Sequence, residues 1–318
     1  MPKKINAWVW DRPSRMADVL LQQLEFLNSF TLPTGSGCSG SRQPTKSDFI
    51  YILNNSNILG ISLGRKKIEK IVFFDLRQEL HLHTDVGPVG AAAITIADEN
   101  SDSEEQYQVS ELFFQDEDAL KRIILTWPWR VFTEIKIKKN KDPTLLHNSV
   151  IFEPGIFEFA MVQTELEIIQ QLNNDPNKDY VQLEYRRLSI KDHGIPGTAE
   201  VEDFVQFAID AAKSNTWVHF HCHGGKGRTS TFIAMYNLIY SRLNPDCGLN
   251  DFMILSHPKL SAENNKVDVG SGQGERVKFI NSFRNYIEAI TSDLLAGNPI
   301  KLWSVWLEMD IRRFYPSP

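Results

Sequence analysis

Residues 221–231 read His-Cys-His-Gly-Gly-Lys-Gly-Arg-Thr-Ser-Thr, so that a cysteine and an arginine are separated by five residues, three of them glycine. Upstream, Trp217, Val218, His219, Phe220 and His221 combine aromatic and β-branched residues as a short strand does; downstream, Thr231 to Tyr240 is apolar enough to be a buried helix. Cys222 therefore belongs to a strand-to-helix turn. Such a turn presents unpaired backbone N–H groups and the positive end of a helix dipole, which stabilise an anion without any charged side chain.

Gly224, Gly225 and Gly227 let the backbone curl into an anion-holding nest. The donors that bind an anion there also favour the thiolate, the form of cysteine that attacks. Arg228 offers a planar fork matched to the equatorial oxygens of a phosphoryl group, and Thr229 can donate its hydroxyl to the sulfur and steady it as a leaving group. A buried, inert cysteine is the bland alternative, but it calls for neither the glycines nor an arginine at that offset. No Gly-x-x-x-x-Gly-Lys-Ser/Thr loop occurs. A metal site made of His221, Cys222 and His223 is poorly served by adjacent residues that point in different directions from a strand end.

His221, Cys222, Arg228 and Thr229 match the His-Cys-x5-Arg-Ser/Thr motif, and the chain resembles the cysteine-dependent, protein-tyrosine-phosphatase-like superfamily. Within it the segments are similar to those of the bacterial phytase-like inositol polyphosphate phosphatases. Phe73-Phe74-Asp75-Leu76-Arg77-Gln78-Glu79-Leu80-His81 is similar to that family's Asp-Leu-Arg-x-Glu-x-His strand end. Tyr185 through Asp192-His193-Gly194-Ile195-Pro196 is similar to its general-acid segment. The resemblance covers about residues 40–288 and is poor between about 86 and 157. It implies an α/β fold with a protein-tyrosine-phosphatase-like core, a central sheet flanked by helices. It also implies a phosphomonoesterase that hydrolyses phosphorylated inositols, phytate first, through a phosphocysteine. The alternative is a protein tyrosine, dual-specificity or phosphoinositide phosphatase, and a non-catalytic phosphate-binding module is a further rival.

An alkoxide leaving group needs a proton from an acid carried on another element than the phosphate loop. Asp192 follows a strand-like stretch, Val181 to Ile190, and precedes Gly194 and Pro196 on a loop. An ordinary turn aspartate is its other reading, and the resemblance favours the acid. The same resemblance gives His193 a role in orienting the leaving group or the acid. Asp75, Arg77, Glu79 and His81 alternate, which on a strand places them on one face. Asp75, Arg77 and His221 are expected as supporting residues, either in an ion-pair network under the site or against substrate. His223 and Lys226 put two basic side chains on the rim of the loop, which suits a ligand with several phosphates. Lys266, Arg276 and Lys278 are further substrate-binding candidates from a looser match. Lys136, Lys138, Lys139 and Lys141 read first as a solvated face.

A chain of 318 residues with 42% hydrophobic content supports one large catalytic domain, with a small β-containing lobe expected over about residues 86–155. The net charge of −6 argues against generic nucleic-acid binding, while a local basic pocket can still hold an anion. The mechanism calls for no metal and no cofactor. Cys38, Cys222 and Cys247 make no disulfide framework, and Asp11, Arg12, Arg15 and Asp18 interrupt any leader-like apolar run. No stretch reads as a membrane span. The expectation is an enzyme cytoplasmic as synthesised, which either stays there or is delivered by a specialised secretion system; the sequence does not give its oligomeric state. Elsewhere, Met16 to Phe30 reads as an amphipathic helix, residues 35–44 as a loop, 97–106 as an acidic loop and Trp129 to Lys138 as a strand. Helices are expected over Gln163 to Leu172 and Val201 to Ala212. The aromatic tail from Trp303 reads as packed on the core or as a partner surface.

Overall fold

The computed structural model describes residues 4–10, 37–54, 68–78, 81–84, 87–95, 121, 131–138, 149–154, 162–175, 181–191, 194–255 and 273–314. The expected helix at 16–30 and the acidic loop at 97–106 lie outside them. In chain order the strands are β1 (Lys4–Trp10), β2 (Cys38–Arg42), β3 (Lys70–Asp75), β4 (His81–Thr84), β5 (Gly87–Thr95), β6 (Val131–Lys138), β7 (Ser149–Pro154), β8 (Val162–Gln163), β9 (Gln182–Arg187) and β10 (Thr216–Cys222). The α-helices are α1 (Lys46–Asn54), α2 (Glu165–Asn173), α3 (Thr198–Lys213), α4 (Gly227–Leu243), α5 (Asp251–Leu255), α6 (Gln273–Ala296) and α7 (Trp303–Phe314).

The chain divides into two compact units, Met1–Leu24 with Glu79–Gln171 and Glu25–Gln78 with Leu172–Pro318. The first is built on a six-stranded sheet of order β7-β6-β1-β5-β4-β8. In it β1 runs antiparallel to β5 and parallel to β6. Helix α2 starts where Thr164 and Glu167 exchange bonds: the Glu167 N–H donates to the threonine Oγ1 at 3.1 Å, and the Thr164 N–H donates to the carboxylate at 2.9 Å. This reciprocal cap places the helix start at Glu165 rather than Gln163.

The second unit holds a four-stranded parallel sheet of order β2-β10-β3-β9. Every residue of β10 is buried, and so is β3 after its first residue. That is why β3 reads as a continuous apolar run from Ile71 to Phe74, whereas β10 buries His219 and His221 among its apolar residues. Helix α3 buries Val201, Phe204, Val205, Ala208, Ala211 and Ala212, the stripe of a helix lying on a sheet. Helix α4 is buried along almost its whole length, from Arg228 to Ser241, so it carries no polar face. Trp303 and Trp306 of α7 are buried in the same core and edge onto Tyr286 of α6, so these tail aromatics pack inward. The Ser304 N–H at the start of α7 donates to the Glu202 carboxylate of α3 at 3.0 Å. Hydrogen bonds from Ser304 hold that carboxyl below its ordinary range.

Two sequence readings need correction. Residues 38–42, expected within a loop, form the buried strand β2. Its glycine and serines are there because α4 lies close: a Cβ on Gly40 would come within 2.5 Å of the Thr229 methyl and 2.7 Å of Ile233. The alternation from Asp75 to His81 does not share one strand face either. Strand β3 ends at Asp75, residues 76–78 are irregular, Glu79 lies outside the described residues, and His81 opens β4 in the other sheet.

Candidate active site

Strand β10 delivers Cys222 to its carboxyl end, residues 223–226 bend, and α4 begins at Gly227, ahead of the expected Thr231. Cys222 is 3% exposed, and the Thr229 Oγ1 donates to its sulfur at 3.1 Å while also reaching the Ser41 carbonyl at 3.4 Å. Lys226 occupies the N-cap of α4 and makes no side-chain capping bond. An ordinary cap would supply an oxygen acceptor and a lysine has none. The first amides of α4 are thus left facing the loop, with a cation at the positive end of the helix, an arrangement that an anion relieves.

Arg228 is buried, and its Nη1 donates to the carbonyls of Ile190 at 3.1 Å and Leu76 at 3.4 Å. Those carbonyls sit just past the ends of β9 and β3, so the sheet sets the direction of the guanidinium. Gly225 has φ of 65° and stands against the backbone of Ser41 and Arg42. The Gln43 N–H donates to the His223 carbonyl at 3.3 Å and the Leu76 N–H to the His221 carbonyl at 3.0 Å. The phosphate-type loop is thereby tied to both neighbouring strands. His223 and Gly224 are partly exposed and Lys226 is exposed, so the rim of the loop is open to a ligand.

Asp75 is buried beside the loop's strand. Its Oδ1 accepts from the Arg77 N–H at 2.9 Å, and its Oδ2 from the Tyr185 hydroxyl at 3.0 Å and lies 3.3 Å from Nε of Arg187. The His221 Nδ1 stands 4.0 Å from Asp75, and Arg77 donates to the Gln43 amide oxygen at 3.2 Å. Arg276 of α6 is 5% exposed; its Nε donates to the Gly194 carbonyl at 3.4 Å, and its guanidinium fills the space where a Cβ on Gly227 would go. Lys278 is exposed. Asp192, His193 and Lys266 lie outside the described residues, as do the side chains of Lys136 and Lys138 and all of Lys139 and Lys141.

The polar support beneath the loop escaped the sequence reading. Ser41 Oγ donates its one proton to the Arg42 carbonyl at 2.6 Å, so it must accept from the His219 Nε2 at 2.9 Å. A neutral His219 then accepts at Nδ1 from Ser39 at 2.8 Å, and Ser39 accepts from the Trp217 indole N–H at 2.9 Å. Every member of this buried chain is satisfied, and it joins β10 to β2 under the loop. The signal available was Ser39 and Ser41 at strand spacing opposite His219.

A family model for PTP-like phytase, described by inositol hexakisphosphate, matches residues 74–240. Among solved structures, the PTP-like myo-inositol phosphatase from Mitsuokella multacida, in complex with myo-inositol-(1,3,4,5)-tetrakisphosphate, superposes with a TM-score of 0.56 at 21% identity. That match covers 97% of this chain and 50% of the other. A PTP-like phytase from Bdellovibrio bacteriovorus gives a TM-score of 0.51 at 22% identity, with 96% of each chain covered. These likenesses establish the fold. The effector protein hopD2 of Pseudomonas syringae pv. tomato is 28% identical over 129 residues, which is 38% of this chain and 26% of that protein. The chain thus spans half of the Mitsuokella structure, and its match reaches about a quarter of the effector.

Proposed function

Because the chain belongs to the PTP-like phytase family, matched over residues 74–240, we propose that it is a phosphomonoesterase for phosphorylated inositols. The observation that carries this is the Cys222 sulfur at the N-terminal end of α4, 3.1 Å from the Thr229 hydroxyl and next to an Arg228 held by two carbonyls. Cys222 attacks phosphorus as the alkoxide leaves, and Asp192 gives that alkoxide its proton. Arg228 and the loop amides carry the charge on the equatorial oxygens through the transition state. Water then attacks the phosphocysteine, losing its proton to Asp192, and the thiolate departs toward the Thr229 hydroxyl. His223 and Lys226 offer cations to neighbouring phosphates, and His193 sits beside the acid in sequence. The six-stranded unit belongs, on this reading, to one catalytic domain.

The likeness to an effector protein supports delivery by a secretion system. Among the described residues no helix is long and apolar enough to cross a membrane.

Phosphate release from inositol hexakisphosphate and from phosphotyrosine peptides, with Cys222→Ser as the blank, tests the proposal. Preference for the inositol substrate, abolished by Cys222→Ser, is expected; preference for the peptides moves the function to protein dephosphorylation. Asp192→Asn should slow the first, phosphorylating step far more with the inositol ester than with p-nitrophenyl phosphate, whose nitrophenolate leaves with little need of a proton; single-turnover kinetics separate this step from the shared hydrolysis of the phosphocysteine. Equal slowing of that first step removes Asp192 from the acid role.

A further inference from the structure

In the six-stranded sheet, well away in sequence from the cysteine loop, two histidines and a carboxylate meet in the interior. His81 and His83 lie at alternate positions of β4 and so share a face. Strand β8 pairs antiparallel with β4, with His83 directly opposite Gln163, and paired residues also share a face. Two residues beyond Gln163 the chain enters α2 at Glu165. The Nε2 of His81 stands 3.3 Å and the Nε2 of His83 3.2 Å from the same carboxylate oxygen, Oε1 of Glu165. The three ligand-type atoms lie within 4.8 Å of one another, and all three side chains are buried.

Charge-assisted N–H···O bonds usually close to about 2.7–2.9 Å, shorter than either of these separations. Two ligands on a tetrahedral ion with bonds of about 2.0–2.1 Å stand roughly 3.3–3.4 Å apart. The two His–Glu separations, 3.3 and 3.2 Å, come close to that edge length. Gln163 adds an independent observation: its Oε1 is buried and has no hydrogen-bond partner among the described residues. A neutral amide oxygen beside His83 is a suitable further ligand.

We propose that His81, His83 and Glu165, with Gln163 as an additional oxygen donor, form a binding site for one divalent transition-metal ion of the zinc class. Two imidazole nitrogens and a carboxylate suit a borderline ion, whereas calcium and magnesium favour oxygen donors alone. The ion ties β4 to β8 and to the start of α2, segments far apart in the chain, and so stabilises the sheet edge. The site does not depend on the phosphatase reading.

The test uses the full chain carrying Cys222→Ser, so that the nucleophile is not a competing thiolate, stripped with a chelator and titrated with cobalt(II). A visible absorption band saturating at one equivalent, displaced by zinc, with a raised melting temperature, is expected. His83→Gln and Glu165→Gln should each weaken binding by more than about 100-fold, while His223→Asn in the cysteine loop leaves it unchanged. Absence of the band, saturation well below one equivalent, or a band that survives both substitutions overturns the proposal. The titration of the parent protein gives the first two outcomes even where a variant fails to fold.

Discussion

Gly224 and Gly225 are neighbours in the same loop, yet the structure assigns them opposite tolerance to a methyl group. Gly225 has φ of 65°, and its Cβ would fall on the Arg42 amide nitrogen, 2.6 Å from the Ser41 carbonyl carbon and 2.9 Å from the Arg42 Cα. All three atoms are backbone, so no rotamer relieves the overlap. Left-handed backbone costs alanine about 1–2 kcal/mol and an overpacked methyl about 1–3 kcal/mol, together about 2–5 kcal/mol. At about 2–4 °C per kcal/mol for a unit of this size, Gly225→Ala should lower the melting temperature by about 5 °C or more. Relief by moving the loop about 1 Å off β2 should slow turnover roughly 100-fold. A Cβ on Gly224 meets nothing within 4 Å, and its stability change should stay within about 0.5 kcal/mol. Thermal unfolding by circular dichroism, paired with hydrolysis of an aryl phosphate, reads both effects. If Gly224→Ala melts as low as Gly225→Ala, or Gly225→Ala melts with the parent, the close approach of loop to strand is refuted.

Thr229→Val keeps the shape beside Gly40 but removes the donor 3.1 Å from sulfur; losing a hydrogen bond to a charged group should slow phosphocysteine breakdown about 10- to 100-fold. Rapid-quench mass spectrometry should then trap the phosphoenzyme, and an unchanged kcat counts against the role. Arg276→Lys loses the planar contact with Gly227 and the bond to Gly194, so melting temperature and kcat should fall while KM for the inositol substrate holds. A raised KM with unchanged melting returns Arg276 to ligand binding. Burial, and then the negative Glu202, push the Tyr286 phenol up to about 12. The neutral form is favoured in the folded state, so this contribution is intact below the unfolded value near pH ~10 and is lost as pH rises toward the folded one. Tyr286→Phe, which gives up the 2.7 Å bond to the Lys301 carbonyl, should melt lower at neutral pH and lose less stability than the parent between those values.

Much of the core was legible because its elements repeat one simple demand. Strands buried on both faces are mostly apolar, as β3 is from Ile71 to Phe74, and helices lying on them must show an apolar stripe, as α3 does. Strand β2 failed that rule because its neighbours constrain it by size and by hydrogen bonding. Gly40 makes room for α4, and Ser39 and Ser41 bracket His219, so a buried strand carries the composition of a turn. The apparent alternation from Asp75 to His81 misled for the converse reason. Asp75 binds the amide two residues on, at Arg77, which is local chemistry that ends a strand rather than continuing it.

The site divides along the same line. Cys222, Arg228 and Thr229 could be read as candidates from sequence because they stand at fixed spacing within one loop. What aims Arg228 could not, because its acceptors are the carbonyls of Leu76 and Ile190, and any residue at those positions offers the same oxygen. The same holds for the loop's ties to Gln43 and Leu76, made through backbone N–H groups. Arg276 lies between these cases: a loose family match suggested a ligand contact, and the structure adds its burial against Gly227 and its bond to Gly194, a partner on each side that sequence could not show. A guanidinium that links the cysteine loop to the Gly194 segment couples their positions. Substitution there should disturb both loops together, which a residue reaching only toward substrate would not do.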